Sequence, residues 1–309
     1  MLAQRYAKNP VLAPSSRWWE NKAVFNCGVA DKSGMIHMLY RAVGDDNISR
    51  LGYAWSKDGF SFERASIPAY ESPLGDEFER LGSEDPRITL IDGTYYIPYV
   101  GASVYPVAEN RPPTFKVGPP WRCRVSLIST KDFKTYKRHG VILPEFDDKD
   151  AVFFPEKFNG KYVMYHRVLP DIWISYSDDL LHWYDHRPVM TPKLSSWDNE
   201  RIGAGSPPIK TEDGWLNFYH GVDENRVYRL GVFLSDLDDP SKIIARSSKP
   251  ILDPKEAFEC VGSVCNVVFT CGVVERDGKY MIYYGGADSS IGVATLDVDK
   301  VKNIEMTRG

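Results

Sequence analysis

A run of carboxylates before a proline is the most polar segment that could carry chemistry in this sequence. Residues 84–87 read Glu-Asp-Pro-Arg. Pro86 lacks a backbone donor and biases the preceding residue toward an extended conformation, so we expect Asp85 to aim its carboxyl group into a channel lined by the strands that begin near such residues. The alternative is a turn-forming aspartate that is salt-bridged to Arg87.

Cationic and ring side chains recur near the ends of other predicted strands. Arg167 is the strongest candidate for a functional role, because the equivalent positions elsewhere hold Val100, Gly221 and Gly285 and a buried arginine needs an anionic partner or a ligand. Together the set predicts a site for an oxyanion such as phosphate or carboxylate. The set consists of Arg41, Arg50, Lys149, His166, Arg167, Arg201 and His220. Both histidines could instead be core ring residues.

Five similar segments must position these side chains. In each, a turn glycine is followed by an aromatic or apolar strand, and the glycines stand 54 to 67 residues apart. Asp-Gly and Asn-Gly in this context favour two-residue β-hairpins. The turn glycines are Gly34, Gly93, Gly160, Gly214 and Gly278.

A column of ring side chains accompanies the repeat. Six residues after each glycine stand Tyr40, Tyr99, His166, His220 and Tyr284. Five units of about four strands, without amphipathic helices between them, predict one all-β domain over residues 1–309, a five-bladed β-propeller with the active site in its central funnel. A β-sandwich would not explain five repeats, and the repeats of a parallel β-helix are much shorter. Five prolines within residues 103–122 predict a long surface loop in the second blade.

Composition excludes several functional classes. The 309 residues carry 38 Lys and Arg against 42 Asp and Glu, and no basic stretch could neutralise a nucleic acid. The sequence has neither a signal peptide nor a membrane-spanning apolar run, which predicts a cytoplasmic protein. Five cysteines without CxxC spacing predict buried free thiols rather than a disulfide framework or a metal site. No glycine-rich phosphate loop indicates a nucleotide.

The motifs resemble those of glycoside hydrolase family 130 from Asn26 to Asp288. They are FNCG in the first repeat, SEDPR in the second, FPEK with HR in the third, RIGAGSPP with YHG in the fourth and YYGGAD in the fifth. Most members of that family are five-bladed propellers that phosphorolyse β-mannosides.

This resemblance implies roles for individual residues. Asp85 takes the position of the sole catalytic acid, which protonates the glycosidic oxygen through the mannose 3-hydroxyl group. The implied phosphate-binding residues are Lys149, Arg167, Arg201, His220 and Tyr228. The implied sugar-binding residues are Asn26, Arg41 and Asp288, and we add Arg50 from its place beside the first hairpin.

The implied reaction needs one carboxyl group rather than two. An inverting hydrolase requires an acid and a base, whereas inorganic phosphate is already a nucleophile that cations can orient. The expected function is reversible, inverting phosphorolysis of manno-oligosaccharides to α-mannose 1-phosphate, with β-1,4 favoured over β-1,2 linkages and phosphate as co-substrate without a further cofactor. Two alternatives stay open: a β-mannosidase of the same family with Glu156 or Glu200 as base, and a non-catalytic glycan-binding propeller. A homo-oligomer whose neighbouring subunit completes the acceptor site also stays open.

Overall fold

Residues 2–106 and 121–308 are described by the computed structural model, and antiparallel β-sheet dominates them. Five successive units of paired strands form the five predicted blades, so the expected fold is confirmed. Blade 1 contains β2 (Ala23–Lys32), β3 (Met35–Val43), β4 (Ser49–Ser56) and β5 (Glu63–Arg64). Blade 2 contains β6 (Gly82–Glu84), β7 (Thr89–Ile91), β8 (Thr94–Val104), β9 (Trp121–Thr130) and β10 (Lys137–Leu143).

The remaining blades repeat this order from the axis outward. Blade 3 contains β11 (Lys149–Phe153), β12 (Tyr162–Val168), β13 (Asp171–Ser177) and β14 (Trp183–Met190). Blade 4 contains β15 (Arg201–Ala204), β16 (Ile209–Thr211), β17 (Gly214–Val222), β18 (Tyr228–Ser235) and β19 (Ile243–Ser247), joined by β23 (Met306–Arg308). Blade 5 contains β20 (Val268–Arg276), β21 (Lys279–Gly286) and β22 (Ser290–Asp297), and β1 (Gln4–Arg5) is its outermost strand.

The turn glycines act as the sequence predicts. In four of the five hairpins, the glycine and the residue before it both have positive φ, as at Asp92 (48°) and Gly93 (74°). This is the backbone of a type I′ turn, whose twist matches that of paired strands. The turn of blade 4 differs, because only Gly214 has a positive φ there (143°).

The column of ring side chains is buried in every blade. In three blades the ring is a tyrosine that donates a hydrogen bond to a buried glutamate: Tyr40 to Glu20, Tyr99 to Glu79 and Tyr284 to Glu259, at 2.6 to 2.9 Å. Burying a carboxylate requires such partners. The column is therefore chiefly a structural feature of the repeat.

Glycines let the inner strands approach one another around the axis. A Cβ atom at Gly272 of blade 5 would lie 2.6 Å from the main-chain nitrogen of Val29 in blade 1. A Cβ atom at Gly28 would lie 2.6 Å from the carbonyl oxygen of Pro86 in blade 2. Side chains at these positions would force the blades apart, so the glycines bring the first blade against both of its neighbours.

Some expectations need correction. Residues 103, 104, 121 and 122 belong to β8 and β9 rather than to the predicted loop, and residues 107–120 lie outside the described part of the chain. All five cysteines are free, but Cys265 is exposed and Cys260 only partly buried. The helices found are α1 (Ala257–Cys260) and α2 (Val298–Val301), and over residues 2–106 and 121–308 no helix has the length and apolarity to span a membrane.

Candidate active site

Inner strands of the propeller lose their regular pairing at one level near the axis. Strand β2 bulges at Asn26, β6 ends just before Asp85 and β11 bulges at Asp150, and these three residues have positive φ values of 45°, 52° and 58°. Bulges and left-handed residues redirect side chains out of the regular alternation of a strand. The irregularities therefore bring an amide and two carboxylates toward the axis.

Asp85 adopts a conformation that its sequence context did not predict. We expected an extended residue before Pro86, but its φ is 52°. Arg87 accounts for this, because its Nη1 donates to the carbonyl oxygen of Asp85 at 2.9 Å. The carboxylate accepts from Asn26 Nδ2 at 2.9 Å and lies 3.5 Å from Arg41 Nη1. The alternative of an Asp85–Arg87 salt bridge is wrong, since the guanidinium of Arg87 pairs with Asp150 instead.

Glu84 is an acidic partner for two predicted cations. Its two carboxylate oxygens lie 2.6 Å from Arg41 Nη2 and 3.1 Å from Lys149 Nζ. Burial opposes the charge of Glu84, but Arg41 and Lys149 outweigh it and lower the pKa of this carboxyl group. Burial likewise opposes the charge of Lys149, yet Cys123, Glu84 and Asp85 raise its pKa. Both partners are therefore charged in the folded protein.

Asp150 contacts side chains of three blades. One of its oxygens lies 2.8 Å from Arg87 Nη2, and the other lies 2.8 Å from Arg167 Nη1 and 3.5 Å from His220 Nε2. Although burial disfavours the charge, Arg167 and Arg87 hold the pKa of Asp150 below its usual range. The arginine that the sequence singled out thus has an internal carboxylate partner.

His220 departs from the pattern of the ring column. It contacts Arg167, whose Nη1 donates to His220 Nε2 at 3.3 Å, and its ring lies 4.4 Å from that of Phe269. Burial, with a smaller contribution from the neighbouring arginines, lowers the pKa of His220 to about 3, so the ring is neutral. With Nε2 accepting, the proton resides on Nδ1. Among the residues that the structure describes, neither His220 Nδ1 nor the buried donor Arg167 Nε has a hydrogen-bond partner.

Arg201 differs from the other cations. Its Nη2 donates to the hydroxyl group of Tyr228 at 2.5 Å, and its guanidinium lies 5.3 Å from the centre of that ring. Among residues 2–106 and 121–308, it has no carboxylate within salt-bridge distance, whereas Arg41, Arg87, Lys149 and Arg167 each have one. Its charge is therefore available to an external anion.

A central cavity collects most of the predicted residues. Its lining includes seven of them, namely Asn26, Arg41, Asp85, Lys149, Arg167, Tyr228 and Asp288. His220 lies behind Arg167, and Arg201 lines an adjoining cavity that shares Tyr228. Burial raises the pKa of Asp288 to about 6, with Asp85 and Glu84 adding to the effect and Arg41 and Lys149 opposing it.

Arg50 does not join this group. It lines a separate pocket, where its guanidinium lies 2.6 Å from Asp46 and 2.5 Å from Glu71 and packs on the ring of Trp18. Neighbouring residues on a strand point to opposite faces, so Arg50 turns away from the cavity while Ser49 bonds Glu84 and Arg41. The expectation that Arg50 binds substrate from the central cavity is not met.

The residues proposed as a hydrolytic base lie outside the central cavity. Glu156 is partly exposed and pairs with Lys210 at 2.7 Å. Glu200 is exposed and lines the adjoining cavity with Arg201 and Tyr228. Within the described ranges, no group of three or more His, Cys, Asp and Glu side chains is arranged to hold a metal ion.

Sequence reasoning missed Glu84, Asp150 and Phe269 and gave Arg87 no role of its own. Two of the four stand beside predicted site residues, since Glu84 precedes Asp85 and Asp150 follows Lys149. A signal was present, because the cations outnumber the carboxylates that had been assigned to them. A buried cluster of this kind needs compensating acids nearby.

Comparisons with known proteins agree with this architecture. A model of the family described as beta-1,4-mannooligosaccharide phosphorylase matches residues 7–307. A 1,2-beta-oligomannan phosphorylase of Thermoanaerobacter sp. (strain X514) is 45% identical, over 97% of this chain and 98% of that protein. A beta-1,2-mannobiose phosphorylase of the same organism is 44% identical, over 96% of this chain and 98% of that protein.

A solved structure shows the same fold over almost the whole chain. It is the beta-1,2-mannobiose phosphorylase from Listeria innocua in complex with beta-1,2-mannobiose, with a TM-score of 0.84 and 29% sequence identity, covering 98% of this chain and 99% of that one. These relatives do not support the expected preference for β-1,4 over β-1,2 linkages. The family match over residues 7–307 and the two relatives above 40% identity confirm the resemblance, and the chain belongs to glycoside hydrolase family 130.

Proposed function

We propose that this protein is an inverting phosphorylase of β-1,2-linked mannosides, which converts them with inorganic phosphate into α-mannose 1-phosphate and a shortened acceptor. The observation that carries the proposal is the environment of Arg201 and Arg167. Within the described part of the chain, Arg201 has no carboxylate partner, and Arg167 and His220 each keep a buried donor without a partner. Unsatisfied buried donors and an uncompensated cation favour an anionic ligand.

Asp85 is the proposed proton donor. Its carboxyl group lines the same cavity as Arg167 and Tyr228, and Asn26 and Arg41 fix its orientation. Of the other acidic groups at this cavity, Glu84 pairs with Arg41 and Lys149, and Asp150 pairs with Arg87 and Arg167. Asp288 lines the cavity as well, and we propose that it binds the transferred mannose. This arrangement suits a reaction that needs one acid and a bound nucleophile.

The proposed step keeps atoms and charge balanced. A phosphate oxygen attacks the anomeric carbon from the face opposite the glycosidic bond, and the bond from that carbon to the leaving oxygen breaks. Asp85 gives its proton to the leaving oxygen through the mannose 3-hydroxyl group, and the proton carried by hydrogen phosphate restores the carboxyl group. Lys149, Arg167, Arg201, His220 and Tyr228 orient the phosphate, while Asn26, Arg41 and Asp288 bind the transferred mannose.

The proposed linkage is supported by the relatives, and the proposed acceptor site is supported by a cavity of this structure. Two relatives at 44% and 45% identity are named for β-1,2-linked substrates, which supports β-1,2 in place of β-1,4. For the acceptor we propose a second cavity, which shares Arg41, Lys149 and Arg167 with the central one, because Trp121 and Leu169 give it an apolar wall on which a sugar face can pack.

A cytoplasmic location stays a prediction, consistent with a phosphorylated product that cells retain.

The test compares linkages with and without phosphate. The protein is incubated with β-1,2-mannobiose or β-1,4-mannobiose, and mannose 1-phosphate and free mannose are quantified by NMR, which also identifies the anomer. We expect α-mannose 1-phosphate from the β-1,2 substrate, and only when phosphate is present. Free mannose released without phosphate would overturn phosphorolysis in favour of hydrolysis. Turnover of the β-1,4 substrate alone would overturn the proposed linkage.

A further inference from the structure

A line of hydrogen bonds crosses blade 3 from the cavity wall toward its outer strand. His166 Nδ1 lies 2.5 Å from Asp148 Oδ2, and His166 Nε2 lies 2.7 Å from Ser175 Oγ. Ser175 Oγ lies 2.7 Å from His186 Nδ1 on β14. The side chains of Asp148 and His166 are fully buried, and Asp148 lines the second cavity.

The direction of these bonds follows from the acceptor at their inner end. Asp148 Oδ1 accepts the main-chain N–H of Arg167 at 3.0 Å, so Asp148 acts as an acceptor and His166 Nδ1 donates to its other oxygen. Ser175 then donates to His166 Nε2 and accepts from His186 Nδ1. Asp148 is thus held through both of its carboxylate oxygens, by the main-chain N–H of Arg167 and by His166 Nδ1.

Asp148 is adjacent to two cationic residues of the cavity, Lys149 and Arg167. It precedes Lys149 on the chain, and the residues Lys149 and Arg167 are paired across β11 and β12. Lys149 is the first residue of β11, and the register of the β11–β12 ladder shifts between Lys149 and Val152, so no regular β11–β12 pair adjoins this one. The bond from Arg167 N–H to the Asp148 carboxylate replaces the missing part of the ladder.

Blade 2 contains a similar ring and carboxylate without this connection. Tyr99 donates to Glu79 at 2.9 Å, but the residue after Tyr99 is Val100, which carries no charge. A hydrogen bond between a column ring and a buried acid therefore occurs in blades 1, 2, 3 and 5, and in blade 3 the same acid also binds the main chain of a cavity cation. Blade 2 thus supplies a matched control.

We propose that His166 and Asp148 are positioning residues for the phosphate side of the site: they fix the backbone of Arg167 relative to Lys149. The inference rests on the proposed phosphorolysis. Neither residue contacts phosphate in this scheme. A displacement of the Arg167 guanidinium by a fraction of an ångström weakens phosphate binding and leaves the mannose subsite, which is built from blades 1 and 5, unchanged.

The experiment separates the two substrates kinetically. KM for phosphate and KM for β-1,2-mannobiose are measured for the wild type, His166→Phe, His166→Asn and Tyr99→Phe. For His166→Phe we expect KM for phosphate to rise about tenfold or more, and to rise by a larger factor than KM for β-1,2-mannobiose, because blades 1 and 5 hold the transferred mannose and Arg167 borders the mannoside at the proposed acceptor cavity. His166→Asn keeps an N–H donor near the position of Nδ1, so its KM for phosphate stays close to the wild-type value.

The control decides whether the effect is local. Tyr99→Phe removes an equally buried ring-to-carboxylate bond, and we expect no change in KM for phosphate. An unchanged KM for phosphate in folded His166→Phe, or an equal rise in Tyr99→Phe, overturns the inference. If His166→Phe does not fold, His166→Gln replaces it, since the longer side chain reaches Ser175 and leaves Asp148 without its donor. Equal KM values for Gln and Asn at position 166 then overturn the inference.

Failure of the proposed function gives a different result. In that case the wild type itself turns over without phosphate or not at all, and no KM for phosphate exists to compare. Failure of the positioning role alone leaves phosphate-dependent turnover in the wild type and gives every folded variant at position 166 the wild-type KM for phosphate.

Discussion

Arg87 Nη1 donates a hydrogen bond to the main-chain carbonyl oxygen of Asp85 at 2.9 Å, while its Nη2 pairs with Asp150 at 2.8 Å. The same side chain donates to the carbonyl oxygens of Ala204 and Gly205 in blade 4. One buried guanidinium thus joins three blades at the axis and holds the candidate acid in its left-handed backbone conformation.

Replacing Arg87 with methionine should destabilise the fold strongly. Removal of one partner from a buried ion pair costs about 3 to 5 kcal/mol, and here Asp150 loses one of its two arginine partners while three main-chain carbonyl oxygens lose a hydrogen bond from Arg87. Urea unfolding measures the difference in unfolding free energy. Arg50→Met is the matched control, because Arg50 is also buried but its partners Asp46 and Glu71 are 34% and 52% exposed, and we expect a loss of about 1 kcal/mol or less. Equal losses in the two variants would contradict this role of Arg87.

The architecture could be predicted from the sequence because each repeat is marked by residues that are close together in the chain. Turn glycines at positive φ and a buried ring six residues later occur in every blade, and each needs only neighbouring residues to be recognised. The conformation of Asp85 was not predictable in this way. It depends on Arg87, which acts through tertiary contacts with blades 3 and 4, and the local effect of Pro86 alone pointed to an extended residue.

The site residues that were predicted and those that were missed differ in whether the neighbouring sequence marks them. Arg167 was detectable because it breaks the pattern of its repeat position, whereas His220 was assigned through the family resemblance. Glu84 and Asp150 were not singled out, since acidic residues near turns are common and their partners come from other blades. Arg50 was misplaced because one step along a strand reverses the direction of a side chain.

Asp85→Asn should abolish most turnover while the protein stays folded. The amide still accepts from Asn26 but cannot donate the carboxyl proton to the leaving oxygen, and general acid catalysis contributes about 10²- to 10⁴-fold. Initial rates with β-1,2-mannobiose and phosphate measure the loss, and the thermal midpoint checks folding. Glu156→Gln and Glu200→Gln serve as controls and should retain their rates. A large loss in Glu200→Gln with activity kept in Asp85→Asn would transfer the acid–base role to Glu200.

Substitutions of Arg201 and Arg167 should both weaken phosphate binding but should differ in their effect on stability. Arg201→Met removes a cation without a carboxylate partner, so we expect KM for phosphate to rise about tenfold or more with little change in the thermal midpoint. Arg167→Met raises the same KM but also lowers the midpoint, because Asp150 loses one of its two arginine partners. An unchanged KM for phosphate in Arg201→Met would remove Arg201 from the proposed site.

The pH dependence of stability should change when Asp288 is replaced by asparagine. Burial raises the pKa of Asp288 to about 6, above the value of about 4 in an unfolded chain. The folded state therefore binds the proton more tightly, and the resulting stabilisation is complete below about pH 4 and is lost as the pH rises through about 6. Relative to Asp288→Asn, the wild type should lose stability over this interval.

Thermal midpoints of both proteins between pH 4 and 7.5 measure the difference. Asp58→Asn provides the control, because the main-chain N–H groups of Ser61 and Phe60 outweigh the effect of burial and hold the pKa of Asp58 below its usual value. Its folded and unfolded forms are both ionised above about pH 5, so its difference from the wild type should stay constant from there upward. A constant difference for Asp288→Asn as well would mean that this carboxyl group is ionised in the cavity throughout the range, and that it meets the sugar as an acceptor only.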